Sequence, residues 1–286
     1  MRVRGIVKIV LTLVISFALM SWSVGVEVAT VAISLISLYA WLGEYIAILK
    51  AGVISEKELD IYEKNKLYRI KEHVIKCVKI NTGEDVSYFK LHIIPSDDVN
   101  GMAFGISHIS LTQGAVDSCD EMTLCAILCH EVSHILCLDS VFNRIIFGDI
   151  TFVIFELMVV SYVSIVFIWI VFIILILCGI CRGFISVFIT SSLSKGVKSL
   201  FELIQYGALF TYQVTIAAVS RQFEYRADGY AVDLGFGTQL TYFLNRFASS
   251  QDGRRKSLSE ILYASHPATH LRIQKINQRQ IVKKNK

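Results

Sequence analysis

Proline is nearly missing from this chain of 286 residues, standing only at Pro95 and Pro267. The strongest helix breaker is therefore confined to two places, and no proline-rich linker divides the chain. Charge is scarce too: 18% of residues are charged against 54% hydrophobic, and the mean hydropathy is +0.56. So little charge excludes an ordinary soluble surface and is the composition of a membrane protein. A net charge of +4 is too small to imply a nucleic-acid partner. Internal repeats and low-complexity segments are lacking. The cysteines, Cys77, Cys119, Cys125, Cys129, Cys137, Cys178 and Cys181, form no evenly spaced framework. That excludes a disulfide scaffold and fits small apolar packing residues in a reducing compartment.

What the chain has in abundance is long apolar runs. Met1 to Gly25 looks like a signal peptide, with Arg2, Arg4 and Lys8 ahead of an uncharged stretch. A second apolar stretch follows without a convincing cleavage site, so an uncleaved signal-anchor is expected. Ile9 to Val26 and Val28 to Leu49 give two crossings joined by a tight hairpin, and Leu157 to Cys181 gives a third. Leu203 to Ser220 is the fourth crossing. Glu44 and Glu156 are expected to face the membrane interface. Lys50, Lys57, Lys64 and Lys66 follow the first hairpin, as Arg2, Arg4 and Lys8 precede it. Both flanks are therefore expected on the cytoplasmic side of a multi-pass protein.

Between the membrane segments, Glu56 to Lys79 has the spacing of an amphipathic helix. Tyr88 to Ile94 and Asn100 to Thr112 read as β structure. Ser118, with Glu121 three residues on, forms a capping box for a helix from about Cys119 to Leu138.

That helix contains His130-Glu131-Val132-Ser133-His134. Two histidines four apart project from one helical face, where a tetrahedral Zn²⁺ can take both. Glu131, between them, is placed to deprotonate a water without being a ligand. Leu124, Ile127, Leu128, Val132, Ile135 and Leu136 make the flanks apolar, unlike a surface helix with a paired His and Glu. Further on, Glu224 and Asp228 also share a face. Glu224 would complete a two-His, one-Glu set, and Asp228 would orient a ligand histidine through its free ring nitrogen. Taken alone, Arg221, Glu224, Arg226 and Asp228 read equally as ion pairs at a membrane boundary.

H-E-x-x-H, an apolar hairpin and then E-x-x-x-D together resemble the HtpX-type membrane metallopeptidases, related to the prenyl-protein (CAAX) endoproteases. Ser118-Cys119-Asp120-Glu121 resembles that family's S-x-D-E lead-in, and Leu111-Thr112-Gln113-Gly114 its L-T-x-G strand end. Ser265-His266-Pro267 with Arg272-Ile273 resembles its S-H-P-x-x-x-x-R-I tail. One departure is Asn100-Gly101-Met102-Ala103, where the family usually has N-A-F-A.

The resemblance implies one Zn²⁺ per chain held by His130, His134 and Glu224, with Glu131 as general base. Asp228 and Arg272 would support the ligands. Asn100, Gly101, Met102 and Ala103 would form a strand that holds substrate backbone by strand addition, or a plain core strand. His266 would donate to the oxyanion, or stabilise a proline turn. His73, His92, His108 and His270 are expected to stand outside the chemistry.

The implied fold is mainly α: four transmembrane helices plus an α+β, gluzincin-like catalytic domain with a small sheet. Its order would be a membrane hairpin (1–50), a first catalytic part (51–140), a second hairpin (141–220) and a second catalytic part (221–286). Both histidines precede the second hairpin and Glu224 follows it, so that insertion must cross an even number of times. The implied function is zinc-dependent endopeptidase action on polypeptides at a lipid bilayer, in quality control of misfolded membrane proteins. The alternatives are a narrow-specificity processing protease and a catalytically silent membrane scaffold.

Overall fold

A computed structural model describes residues 1–54, 59–180, 183–248 and 267–284. The chain divides into two compact units, Met1–Ile145 with Ile216–Lys286, and Ile146–Thr215.

The first unit begins with two apolar helices, α1 (Arg2–Val24) and α2 (Val26–Lys50). Gly25, at φ 88°, turns the chain between them in a conformation that suits a residue without a side chain. Helix α3 (Ile61–Thr82) starts where Asp60 accepts a hydrogen bond from the Glu63 amide, and it ends at Gly83 in the left-handed region. Its Leu67, Ile70, Val74 and Val78 are buried, as the sequence periodicity requires.

Strands β1 (Lys90–Ile94), β2 (Gly101–Phe104) and β3 (His108–Thr112) form a sheet in the order β1-β3-β2. β1 runs parallel to β3, and β2 pairs antiparallel with β3 through a tight turn. The β-like stretch Asn100 to Thr112 is thus a hairpin of two strands, and β2 lies at one edge of the sheet.

Thr112 caps the short α4 (Gln113–Ser118). Gly114 of that helix lies so close to the chain at Asp97 that a Cβ would meet the Asp97 carbonyl oxygen at 2.2 Å. Hence the glycine that follows the strand end.

Helix α5 (Glu121–Leu136) is the centre of the first unit, buried along almost its whole length. Its cap is Asp120, whose side chain accepts from the Thr123 amide at 2.7 Å. The expected Ser118 cap is therefore corrected. Ser118 is already the last residue of α4, and Cys119 between them is extended. The core gathers around this helix. Leu124, Leu128, Ile135 and Leu136 pack with Ile70 and Val74 of α3, with Ile109 and Leu111 of β3, and with Tyr230, Leu240 and Ile276. The six described cysteines are free thiols, and Cys125 and Cys129 lie in this core.

Leu138, at φ 55°, reverses the chain into α6 (Asp139–Leu177). Helix α7 (Phe184–Asp233), at 50 residues, is the longest, with a length of ~75 Å. Helix α8 (Gly237–Phe243) and a π-helical turn (Leu244–Ala248) follow, and α9 (Thr269–Lys284) is the last helix.

Among the described helices, α1, α2 and α6 are long and apolar enough to cross a membrane. Leu203 to Ser220 lies inside α7, which is not one of the three. Gln205, Tyr206, Thr211, Tyr212 and Gln213 dilute its hydropathy. In the second unit, Val160, Phe167 and Ile173 of α6 stand exposed, as on a helix long and apolar enough to cross a membrane.

Candidate metal centre

Helix α5 supplies His130, Glu131 and His134, and the last turns of α7 supply Glu224 and Asp228. His130, Glu131 and Glu224 are buried, and His134 is partly so. The two Nε2 atoms of His130 and His134 lie 3.2 Å apart. Glu224 reaches both, with Oε2 at 3.4 Å from His130 Nε2 and Oε1 at 3.5 Å from His134 Nε2. A tetrahedral ion with bonds of about 2.1 Å separates its ligand atoms by about 3.4 Å. Each pairwise spacing is close to that value, the two histidines being met by different oxygens of Glu224, and the mixture of imidazole and carboxylate suits a borderline-soft divalent ion.

The electrostatics agree. Burial alone would pull the His130 imidazole down, but the Asp228 and Glu224 carboxylates outweigh it and hold the ring up at about 10. The same two carboxylates would attract a divalent cation, which must displace that proton to bind the imidazole. The residues present fit a metal ion.

Around the three sits a layer of charges that fixes their orientation. His130 Nδ1 lies 3.0 Å from Asp228 Oδ1, within contact distance though off the line of an ideal hydrogen bond. Arg272 grips Asp228 with two parallel hydrogen bonds of 2.8 and 2.6 Å, and its Nη1 lies 3.2 Å from Glu224 Oε2. Burial pushes the Asp228 carboxyl up, and Arg272 together with His130 more than reverses this, leaving it below its ordinary value. Asp228 and Arg272 thus meet each other beside the ligands.

His134 has a partner that the sequence reading missed. Its Nδ1 bonds Asp139 Oδ2 at 2.8 Å. Asp139 is buried, receives Lys8 Nζ of α1 at 2.9 Å, and pairs with Arg226 of α7. Each histidine therefore has its own carboxylate behind it, the arrangement that fixes ring orientation in metal sites. The carboxylate behind His134 is in turn neutralised from the first apolar helix.

Strand β2 lies against α5. A Cβ on Gly101 would meet Ile127 Cγ2 at 2.6 Å and Glu131 Cγ at 3.3 Å, so the strand approaches α5 backbone-first. Its neighbour Asn100 turns its side chain back to its own strand, accepting from the Gly101 amide, while the Asn100 amide bonds Thr112 Oγ1. The Ala103 carbonyl accepts from Ser140 Oγ at 3.1 Å, and Met102 pairs with Ser110 across the hairpin. His266 lies outside the described residues.

One expectation needs correction. Glu44 does not face an interface: it is buried and accepts hydrogen bonds from the turn of the β2–β3 hairpin. His92 and His108 pair with each other, their rings stacked and His92 Nε2 2.8 Å from His108 Nδ1.

Residues 62–280 match the model of peptidase family M48. The chain belongs to peptidase family M48. The HtpX-type resemblance falls within this family. The fold is similar to the crystal structure of S. mikatae Ste24p, with a TM-score of 0.51 at 19% identity. That match covers 95% of this chain and 67% of the other. No curated protein matches the chain significantly. Family membership and the apolar helices make the chain a membrane metallopeptidase, with His130, His134 and Glu224 as its candidate metal ligands.

Proposed function

We propose that this M48 peptidase is a zinc endopeptidase that cleaves polypeptides at a membrane surface. The observation that carries the reading is the convergence of His130, His134 and Glu224 with Glu131 on the same buried helix. His130, His134 and Glu224 would hold Zn²⁺, which when bound supplies Lewis-acid chemistry, acidifying a water and polarising the scissile carbonyl.

The protein's own residues do the rest. Glu131 takes the proton from the attacking water and passes it to the leaving amine, so no covalent intermediate forms. Asp228 and Asp139 hold the two imidazoles in the tautomer whose Nε2 points inward. Arg272 keeps Asp228 ionised and, through Nη1, helps fix Glu224. The outer edge of β2 receives the substrate as an added strand that displaces Asn100 Oδ1 from the Gly101 amide and Ser140 Oγ from the Ala103 carbonyl, with Gly101 letting its backbone approach the reacting centre. His266 is proposed to assist at the oxyanion.

Basic residues on both sides of the first hairpin support a cytoplasmic active site. With α6 as one crossing, α7, which is long enough to span, supplies the returning one. The HtpX-type resemblance supports quality control of misfolded membrane proteins as the physiological role.

The test is hydrolysis of an unfolded membrane-protein substrate by full-length protein in lipid nanodiscs. Zinc-dependent cleavage that a chelator abolishes and zinc restores is expected. Full activity after removal of all bound metal would overturn the proposal.

A further inference from the structure

Glu44 is a carboxylate in the middle of an apolar sequence, on a helix fit to cross a membrane. It is 4% exposed. A charge in such a place is costly unless it has partners. Its partners are two backbone amides and a hydroxyl: Oε1 accepts from the amides of Ile106 and Ser107, each at 3.1 Å, and from Ser107 Oγ at 3.3 Å. These residues form the turn that joins β2 to β3.

The turn is shaped to the carboxylate. Gly105 is at φ 58°, and a Cβ there would fall 2.2 Å from Glu44 Cδ. Behind Glu44 stands His108 Nε2 at 4.0 Å, itself stacked on His92 and set edge-on to Tyr45. The second apolar helix thus grips one end of the β2–β3 hairpin through Glu44, with Tyr45 beside it. The other end of the same strand, four residues back at Gly101, rests on Ile127 and Glu131 of the metal-bearing helix.

We infer that Glu44 is a positioning residue for substrate: by clamping the hairpin turn, the membrane helix sets where the outer edge of β2 lies beside Glu131. This rests on the reading that β2 takes an extended polypeptide as an added strand. Helix α2 then serves as a wall of the substrate cleft as well as an anchor. The substrate class that follows is an extended segment long enough to run along β2 from Gly101 to Phe104, past the reacting centre.

The experiment compares Glu44→Leu, which keeps bulk but accepts no hydrogen bond, with Glu44→Gln, which retains an acceptor oxygen. Full-length proteins in nanodiscs are assayed on an extended unfolded peptide, alongside zinc content, thermal stability and hydrogen exchange over residues 101–109. For Glu44→Leu, exchange in that segment should accelerate. KM should rise on the order of tenfold, the scale of a lost buried acceptor, with zinc content unchanged and kcat affected less. Glu44→Gln should restore KM to within a few-fold of wild type.

Faster exchange with an unchanged KM would overturn the inference, leaving Glu44 a structural residue only. Unchanged exchange would overturn it as well, because the clamp itself would be absent. If wild-type protein loaded with zinc cleaves no peptide while its exchange responds to Glu44→Leu, the proteolytic reading has failed and the substrate role falls with it.

Discussion

Replacing Gly101 by Ala puts the contact between edge strand and metal helix to a quantitative test. The added methyl would sit 2.6 Å from Ile127 Cγ2, closer than carbon atoms approach, and 3.3 Å from Glu131 Cγ. Both neighbours are on α5, which is buried and packed on several sides, so the strand must give way. Overpacking of this kind costs about 1–3 kcal/mol. Alanine also reduces the freedom of the unfolded chain, which returns about 0.4–1 kcal/mol, since Gly101 is not in the left-handed region. The net loss should be about 1–2 kcal/mol.

The cause can be isolated with Ile127→Ala, which removes the Cγ2 that the new methyl meets. That variant alone should cost about 2–5 kcal/mol as a cavity mutation. The double variant should be more stable than the sum of the single effects predicts, by about 1 kcal/mol or more. Thermal or denaturant unfolding of the full chain in one detergent reads the cycle, and peptide turnover reads the displacement of Glu131. Strict additivity would show that β2 and α5 do not touch as described. The family resemblance sharpens the experiment, because N-A-F-A stands where this chain has Asn100-Gly101-Met102-Ala103. Here Ile127 occupies the space that the alanine methyl would need.

Three further outcomes are expected. Asp139→Asn keeps the shape but removes the charge shared by His134, Lys8 and Arg226, so zinc affinity in chelator competition should fall by about 10–100-fold; an unchanged affinity would mean that His134 needs no orienting carboxylate. Arg272→Met leaves Asp228 and Glu224 buried without their shared cation and should cost about 3–5 kcal/mol; a stability loss under 1 kcal/mol would remove Arg272 from the site's scaffold. Burial pushes the Cys125 thiol up to about 12 and the Cys129 thiol well above its ordinary value, so neither should react with iodoacetamide at pH 8 in the folded protein; rapid labelling of either would contradict the packing around α5.

The candidate ligands on α5 were legible because helical spacing is a local property: His130 and His134 announce a shared face in five residues. Glu224 needed the family resemblance, since no local pattern says that a carboxylate far along the chain returns to α5. Asp139 was missed for a related reason. It lies five residues after His134, off the helical repeat, and returns to the ring because α5 stops at Leu136 and Leu138 turns the chain in the left-handed region. Glu44 was misplaced because a lone carboxylate in an apolar run looks like an interfacial residue. Its partners are backbone amides of a distant turn, invisible to any residue-type pattern. The pairing of His92 with His108 depends on the parallel register of β1 on β3, which the sequence does not announce.

Ser118 was expected to cap α5, but the short helix α4 takes Ser118 as its own last residue, and the cap falls to Asp120. In the amphipathic α3, by contrast, burial of Leu67, Ile70, Val74 and Val78 follows directly from their spacing.

The central claim is that Glu131 moves the proton in a reaction centred on His130, His134 and Glu224. The most direct measurement is turnover of an unfolded peptide by Glu131→Gln with zinc content determined on the same preparation. The expected result is one equivalent of zinc per chain and turnover reduced on the order of 10²–10⁴-fold. Near-normal turnover, or loss of zinc together with activity, would contradict it.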